Sequence, residues 1–166
     1  MTGGEPTSDM GSRCRVIMAP PLVVASLRYL GPARDVGRAF DDLVSWGQVY
    51  SVERWGPLTG VYADRPPEGA DELAAEVWFP IPPDLREMDT RSDRILIRAV
   101  EQTEVATCLH SGFPDELGES MAVLLRWVQD HGLLRASADH RQVYLEAPPG
   151  RPSDWRVEIQ VPVRRQ

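Results

Sequence analysis

Positive charge is scarce in this chain. Eighteen Lys and Arg stand against 25 Asp and Glu, a formal net charge of −7, so the surface is not built to neutralise phosphates and no direct nucleic-acid binding is expected. Cysteine is nearly absent too. Cys14 and Cys108 are the only two, both in apolar contexts, which reads as unpaired thiols kept reduced in a cytoplasmic protein rather than as a disulfide framework. His110, His131 and His140 have no His/Cys ligand spacing, so neither a metal nor a cofactor is expected. No apolar run approaches the roughly 18 residues that would span a bilayer, and the opening MTGGEPTSDMGSR has no stretch to serve as a signal peptide. Residues 1–13 are expected to be a disordered leader. G-x-S-x-G, H-E-x-x-H and G-x-G-x-x-G are missing as well, which leaves the corresponding enzyme classes without their residues.

What the chain does have is a copy of itself. Residues 24–46 and 105–127 align without a gap at a spacing of 81, with Val24/Val105, Ala25/Ala106, Gly31/Gly112, Gly37/Gly118, Leu43/Leu124 and Trp46/Trp127 identical; chance alone would give roughly one or two matches. At a spacing of 82, residues 61–81 overlay 143–163, and Val61/Val143, Tyr62/Tyr144, Pro66/Pro148, Pro67/Pro149, Glu76/Glu158 and Pro80/Pro162 are identical. With 42% hydrophobic and 26% charged residues the composition is globular. Either half alone would be marginally stable, so the two are expected to share one core.

Each copy opens with a β-rich pair, Arg15–Met18 then Leu22–Leu30, and Ile95–Val100 then Glu104–His110, bent at Pro20-Pro21 and Glu101-Gln102. A one-sided helix follows, marked by Val36, Ala39, Phe40, Leu43 and Trp46 and by Leu117, Met121, Leu124, Leu125 and Val128 at helical spacing. Gly47 and Gly132 are placed to end these helices. A strand ending in Val-Tyr, a proline-rich connection and a final strand complete each copy, with Ala75, Val77, Phe79, Ile81 and Val157, Ile159, Val161, Val163 alternating with polar residues. The expectation is α+β: two pseudo-symmetric β-β-α-β-β repeats, 14–81 and 95–163, joined by a charged surface linker at 82–94. Together they would form one curved, mostly antiparallel eight-stranded sheet with two helices flanking a cleft, a single domain over 14–163.

The repeated VAS and VAT strands, the Gly31 and Gly112 turns, the Val-Tyr strands and the closing Glu158–Val163 strand resemble the GyrI-like small-molecule-binding family, the effector domain of AraC- and MerR-type multidrug regulators. The resemblance covers about residues 14–163. It implies a stand-alone protein that sequesters or senses bulky lipophilic compounds, aromatic and often cationic, in the cleft between the repeats, with rings stacking on the ligand and a buried glutamate matching its charge. The chain departs from the pattern at that glutamate, where it has Gln142. Strand alternation places Gln142, Tyr144 and Glu146 on one face, so Glu146 is a candidate substitute, or else it points into water.

Further candidates for ligand contact follow from position. Tyr62 and Tyr144 repeat on strands expected to flank the cleft. His110 and Phe113 sit beside Gly112 at a strand-to-helix turn, where a lone His near an apolar face is more often a satisfied structural residue than a ligand contact. Val36 and Leu117 are equivalent in the first helical turns, where relatives can carry rings. Trp155 begins the last strand in phase with its buried set, and Tyr50 and Trp55 lie in a loop able to cap an opening. Trp46 and Trp127, repeated at the helix ends, read as core.

Two other functions stay open. Some members of the superfamily hydrolyse cyclopropane-bearing natural products with a cleft carboxylate; only Glu146 could fill that role here. Other relatives bind a protein, and Trp78, on the strand face opposite Val77 and Phe79, reads either as a contact or homodimer surface or as a shield for that face.

Overall fold

The computed structural model describes residues 13–63 and 72–166; the proline-rich connection of the first copy and nearly all of the N-terminal leader lie outside them. The chain divides into two compact units, Pro20–Gln102 and a second made of Thr103–Gln166 together with the chain up to Ala19. We call them the middle and terminal units.

In chain order the strands are β1 Arg15–Ala19, β2 Leu22–Pro32, β3 Thr59–Ala63, β4 Glu72–Pro80, β5 Ile95–Val100, β6 Thr103–Ser111, β7 Leu133–Arg135, β8 Asp139–Glu146 and β9 Arg156–Arg165, and the two α-helices are α1 Gly37–Val49 and α2 Leu117–Asp130. Within the middle unit the sheet order is β3-β4-β2-β5, and within the terminal unit β8-β9-β6-β1, with the short β7 also on β9. All the ladders within these units are antiparallel. The fold is therefore α+β and antiparallel, as the periodicities predict.

The first strand of each repeat goes elsewhere than its own copy. β1 pairs with β6, Arg15 opposite Thr107, and β5 pairs with β2, Leu27 opposite Ile95. Ala19-Pro20-Pro21 explains the first exchange. Two successive prolines lack N–H groups, and each restricts the residue before it to extended backbone, so the chain carries on instead of folding back. Residues 82–94 are also more than a linker. They belong to the middle unit, where Leu85 and Met88 pack on its core, the Thr90 carbonyl accepts the Trp46 indole N–H at 2.9 Å, and the Thr90 hydroxyl donates to the Ile95 carbonyl at 2.6 Å.

Each unit buries its helix stripe on one sheet face. In the middle unit Ala39, Leu43 and Trp46 of α1 cluster with Ala25, Leu27, Val77, Phe79 and Ile95. In the terminal unit Leu124 and Val128 of α2 cluster with Ala106, Cys108, Ile159, Val161 and Val163. Gly132 ends α2 with φ +66, as expected of a glycine there. Gly47, by contrast, lies inside the last turn of α1. Its missing side chain makes room for the Phe79 ring, 2.8 Å from where a Cβ would stand, and Ser51 takes the left-handed turn at φ 54. In the terminal unit Cys14 extends the β1–β6 register to face Cys108; both are buried and reduced. Burial, with the Cys108 hydrogen bond and charge beside it, pushes the Cys14 thiol up to about 12.

The face away from α1 holds a polar cluster. The Glu76 carboxylate accepts the Trp78 indole N–H at 2.7 Å and the Ser26 hydroxyl at 2.8 Å, and pairs with Arg98. Trp78 is only 4% exposed, so it shields this face and offers no contact or dimer surface. Burial alone would raise the Glu76 carboxyl, but the Trp78 and Ser26 hydrogen bonds and the Arg98 charge outweigh it and hold the group below its ordinary value. A lowered native value stabilises the fold above the unfolded-state pKa, near 4.5, and that contribution is lost as pH falls through the native value. Chemical denaturation from pH 7 to pH 3 should therefore show a steeper acid loss in the native chain than in Glu76→Gln; parallel profiles would contradict this assignment.

Candidate functional site

Three of the polar side chains of β8 lie on one face of the strand. Gln142 is opposite Ile159 and Tyr144 opposite Val157, and Ile159 belongs to the core under α2, so His140, Gln142 and Tyr144 share the helix side of the terminal sheet. They form a hydrogen-bonded row. The Tyr144 hydroxyl donates to Gln142 Oε1 at 2.9 Å, and Gln142 Nε2 lies 3.2 Å from His140 Nε2. Since an amide nitrogen only donates, that ring nitrogen accepts. Trp155 meets Tyr144 edge to face, ring centroids 6.1 Å apart and planes at 82°, in the geometry aromatic pairs favour.

Glu146 is not in this row. A bulge lies between Tyr144 and Glu146, and Glu146 pairs in register with Arg156, the residue before Val157, which turns it to the other face. There it makes a 3.0 Å ion pair with Arg156, with 57% of its side chain exposed. The alternation expected from Gln142 through Glu146 thus fails at its last step, because one extra residue in a strand reverses the facing of all that follow. Among the described residues of β8 the helix side carries no carboxylate.

The turn before α2 meets the end of this row through Trp155. Gly112, at φ +118, donates its N–H to the Trp155 carbonyl at 2.9 Å and leads into Phe113, whose ring is 46% exposed. His110 is 2% exposed and fully engaged. One nitrogen reaches the Phe113 carbonyl at 2.9 Å and the other the Ser120 hydroxyl at 2.7 Å. A carbonyl only accepts, so Nε2 carries the proton and Nδ1 accepts from Ser120. His110 is accordingly a brace between β6, the turn and α2. Leu117 packs on the terminal core.

The middle unit repeats the brace with different chemistry. Tyr29 stands where His110 does, and its hydroxyl donates to the Pro32 carbonyl, Pro32 being the counterpart of Phe113. A tyrosine has no second nitrogen to satisfy, and the counterpart of Ser120 is Ala39. Tyr62 lies over Gly60, whose lack of a side chain admits the ring, and is buried; in the terminal unit the place of Gly60 is filled by Gln142. Val36 caps the start of α1. Tyr50 and Trp55, 42% and 57% exposed, stand beyond the other end of this helix, about 20 Å along its axis, so they do not gather with Val36 and Tyr62.

A model of the GyrI-like small molecule binding domain matches residues 13–164. The chain belongs to the GyrI-like family. No curated protein sequence matches. Among solved structures, the EcmrR C-terminal domain superposes with TM-score 0.73 at 20% identity, over 92% of this chain and 98% of that one. In the structure of EcmrR with DNA the match has TM-score 0.76 at 18% identity and 92% coverage, but the GyrI-like chain spans only 57% of that protein. SAV2435 bound to tetraphenylphosphonium superposes with TM-score 0.61 at 11% identity, covering 91% of this chain and 93% of that one. At such identities these likenesses speak for the fold alone.

His140 and Ser120 were not singled out in the sequence. Carrying the period of two back from Gln142 would have reached His140; nothing local marks Ser120, ten residues from its partner. The brace makes a direct prediction. His110→Leu should cost about 1–3 kcal/mol by leaving the Ser120 hydroxyl and Phe113 carbonyl unpaired, and the double replacement His110→Tyr with Ser120→Ala, which copies Tyr29 and Ala39, should recover most of it in denaturant titrations. A double variant less stable than His110→Leu would refute the equivalence.

Proposed function

We propose that this chain binds bulky aromatic lipophilic compounds, often cationic, and so sequesters or senses them, with the helix side of β8 in the terminal unit as a principal contact surface. The observation that carries this is the hydrogen-bonded row His140–Gln142–Tyr144 with Trp155 edge-on to its end. It joins a polar strip able to orient a ligand to ring faces and edges able to hold one. Membership of the family supports small-molecule binding, and SAV2435 with its phosphonium ligand supports the class of compound. A cytoplasmic location belongs to the same proposal.

Ring stacking sets the energy scale. A cation over a Tyr or Trp face gains roughly 0.5–2 kcal/mol, and burial of a large apolar ligand supplies most of the remainder of the approximately −8 kcal/mol that micromolar binding requires. With Gln142 in place of a carboxylate, recognition uses dipoles rather than net charge. Cationic ligands should therefore be preferred over neutral aromatic ones only by what the ring faces supply. Glu146, turned away and paired with Arg156, gives the hydrolase reading no general base on this face, and the burial of Trp78 takes away the residue on which the protein-binding reading rested.

Quenching of intrinsic fluorescence by tetraphenylphosphonium tests the assignment. Saturable micromolar binding is expected, weakened at least fivefold in Trp155→Ala, and strengthened about tenfold, or 1.4 kcal/mol, in Gln142→Glu. Unsaturable quenching, or equal affinity in all three proteins, would remove β8 from the site.

A further inference from the structure

The duplication supplies an internal control for the two cysteines. At a spacing of 81, Ile95 is the counterpart of Cys14 and Leu27 the counterpart of Cys108. Ile95 and Leu27 face each other at the end of the β2–β5 ladder and are buried in the core of the middle unit. Cys14 and Cys108 hold the same place at the end of the β1–β6 ladder and are buried in the core of the terminal unit. The fold therefore asks for a facing apolar pair at this point in each copy. One copy meets the demand with two large aliphatic side chains. The other has cysteine at both positions, and these are the only cysteines of the chain.

Packing does not account for the exchange. A buried cysteine acts as a small hydrophobe, and each fills less of the core than Ile or Leu would. Two facing thiols can do one thing that an aliphatic pair cannot, which is to join. Residues opposite each other in an antiparallel pair have Cα atoms about 4.5–5.5 Å apart, inside the roughly 4.4–6.8 Å that disulfides span. The side chains already meet. The Cys14 thiol donates to the Cys108 sulfur, and the Cys108 thiol donates to the Leu109 carbonyl at 4.0 Å.

The two differ in access. Cys14 is 7% exposed and Cys108 1%, and Cys14 stands just before β1, a strand that within the terminal unit is held by β6 alone. Strand ends of this kind open at low cost. Cys14 is thus the attacking thiol and Cys108 the resolving one. Because Cys14 titrates only at about 12 while buried, reaction waits for such an opening and is slow.

We propose that Cys14 and Cys108 form a reversible redox latch, converted by a low-molecular-weight disulfide such as oxidised glutathione into a disulfide that fastens β1 to β6. The Cys14 thiolate attacks one sulfur of the small disulfide and expels the first small thiol. The Cys108 thiolate then attacks the Cys14 sulfur of the mixed disulfide and expels the second. Two protein thiols lose two electrons, and the small disulfide takes them up together with the two protons. The ring so closed contains residues 15–107 and with them all of the middle unit, Pro20–Gln102; a large ring restricts the unfolded chain more than a small one.

Thiol counting on the full chain provides the test. After incubation without denaturant in excess oxidised glutathione, unfolding and maleimide labelling, both labels should be lost, the intact mass should fall by two hydrogen atoms, and a digest should contain the Cys14 and Cys108 peptides joined. A dithiol reductant should restore both labels. The oxidised chain should have its folded-to-unfolded ratio raised at least about tenfold, read as a higher denaturation midpoint, whereas in Cys14→Ser the oxidant should leave the midpoint where it was. Two free thiols after long exposure, closure only where denaturant has unfolded the chain, arrest at glutathione adducts, linkage to a second copy, or a joined pair with an unmoved midpoint would each overturn the proposal.

Discussion

Everything placed in this molecule is placed by the two-sidedness of an antiparallel strand. A residue on β9 or β4 faces either the helix or the opposite side, and its neighbour faces the other way. The helix stripes of α1 and α2 claim one side of each sheet, which fixes the register because a slip by one residue would put the whole apolar set into water. Once register is fixed, the polar residues have no choice either. Glu76 goes to the far side with Trp78 and Ser26, Gln142 to the helix side with Tyr144. A single bulge after Tyr144 is then enough to turn Glu146 away from the face that Gln142 and Tyr144 share.

The two copies show which features this framework demands and which it leaves open. The brace from the second strand to the following turn is kept in both, through Tyr29 in one and His110 in the other, and the residue beneath changes from Ala39 to Ser120 only because a histidine has a second nitrogen to satisfy. The strip beside the repeated tyrosines diverges freely. Gly60 lets Tyr62 lie flat and buried, whereas Gln142 holds the Tyr144 hydroxyl and keeps that ring half-buried next to Trp155. Structure is conserved where unpaired polar groups would be costly, and recognition varies where they are not.

The sequence was informative where the signal is periodic and local. Helical spacing located α1 and α2, alternation located β4 and β9, and the repeat identified the α+β duplication and the family. It was silent where the outcome depends on partners far along the chain. Whether β1 pairs with β2 or β6 is a matter of how Pro20-Pro21 directs the strand, and the facing of Glu146 depends on one extra residue in a ladder with β9. Alternation puts Trp78 on the far face, but its burial depends on Glu76, Ser26 and Arg98, which gather around it from three strands.

A crystal structure with tetraphenylphosphonium bound would show whether the helix side of β8 is a binding surface. Phenyl rings are expected against Tyr144 and Trp155 with Gln142 within reach. A ligand lodged instead against Trp78 and Glu76, on the far side of the middle sheet, would contradict it.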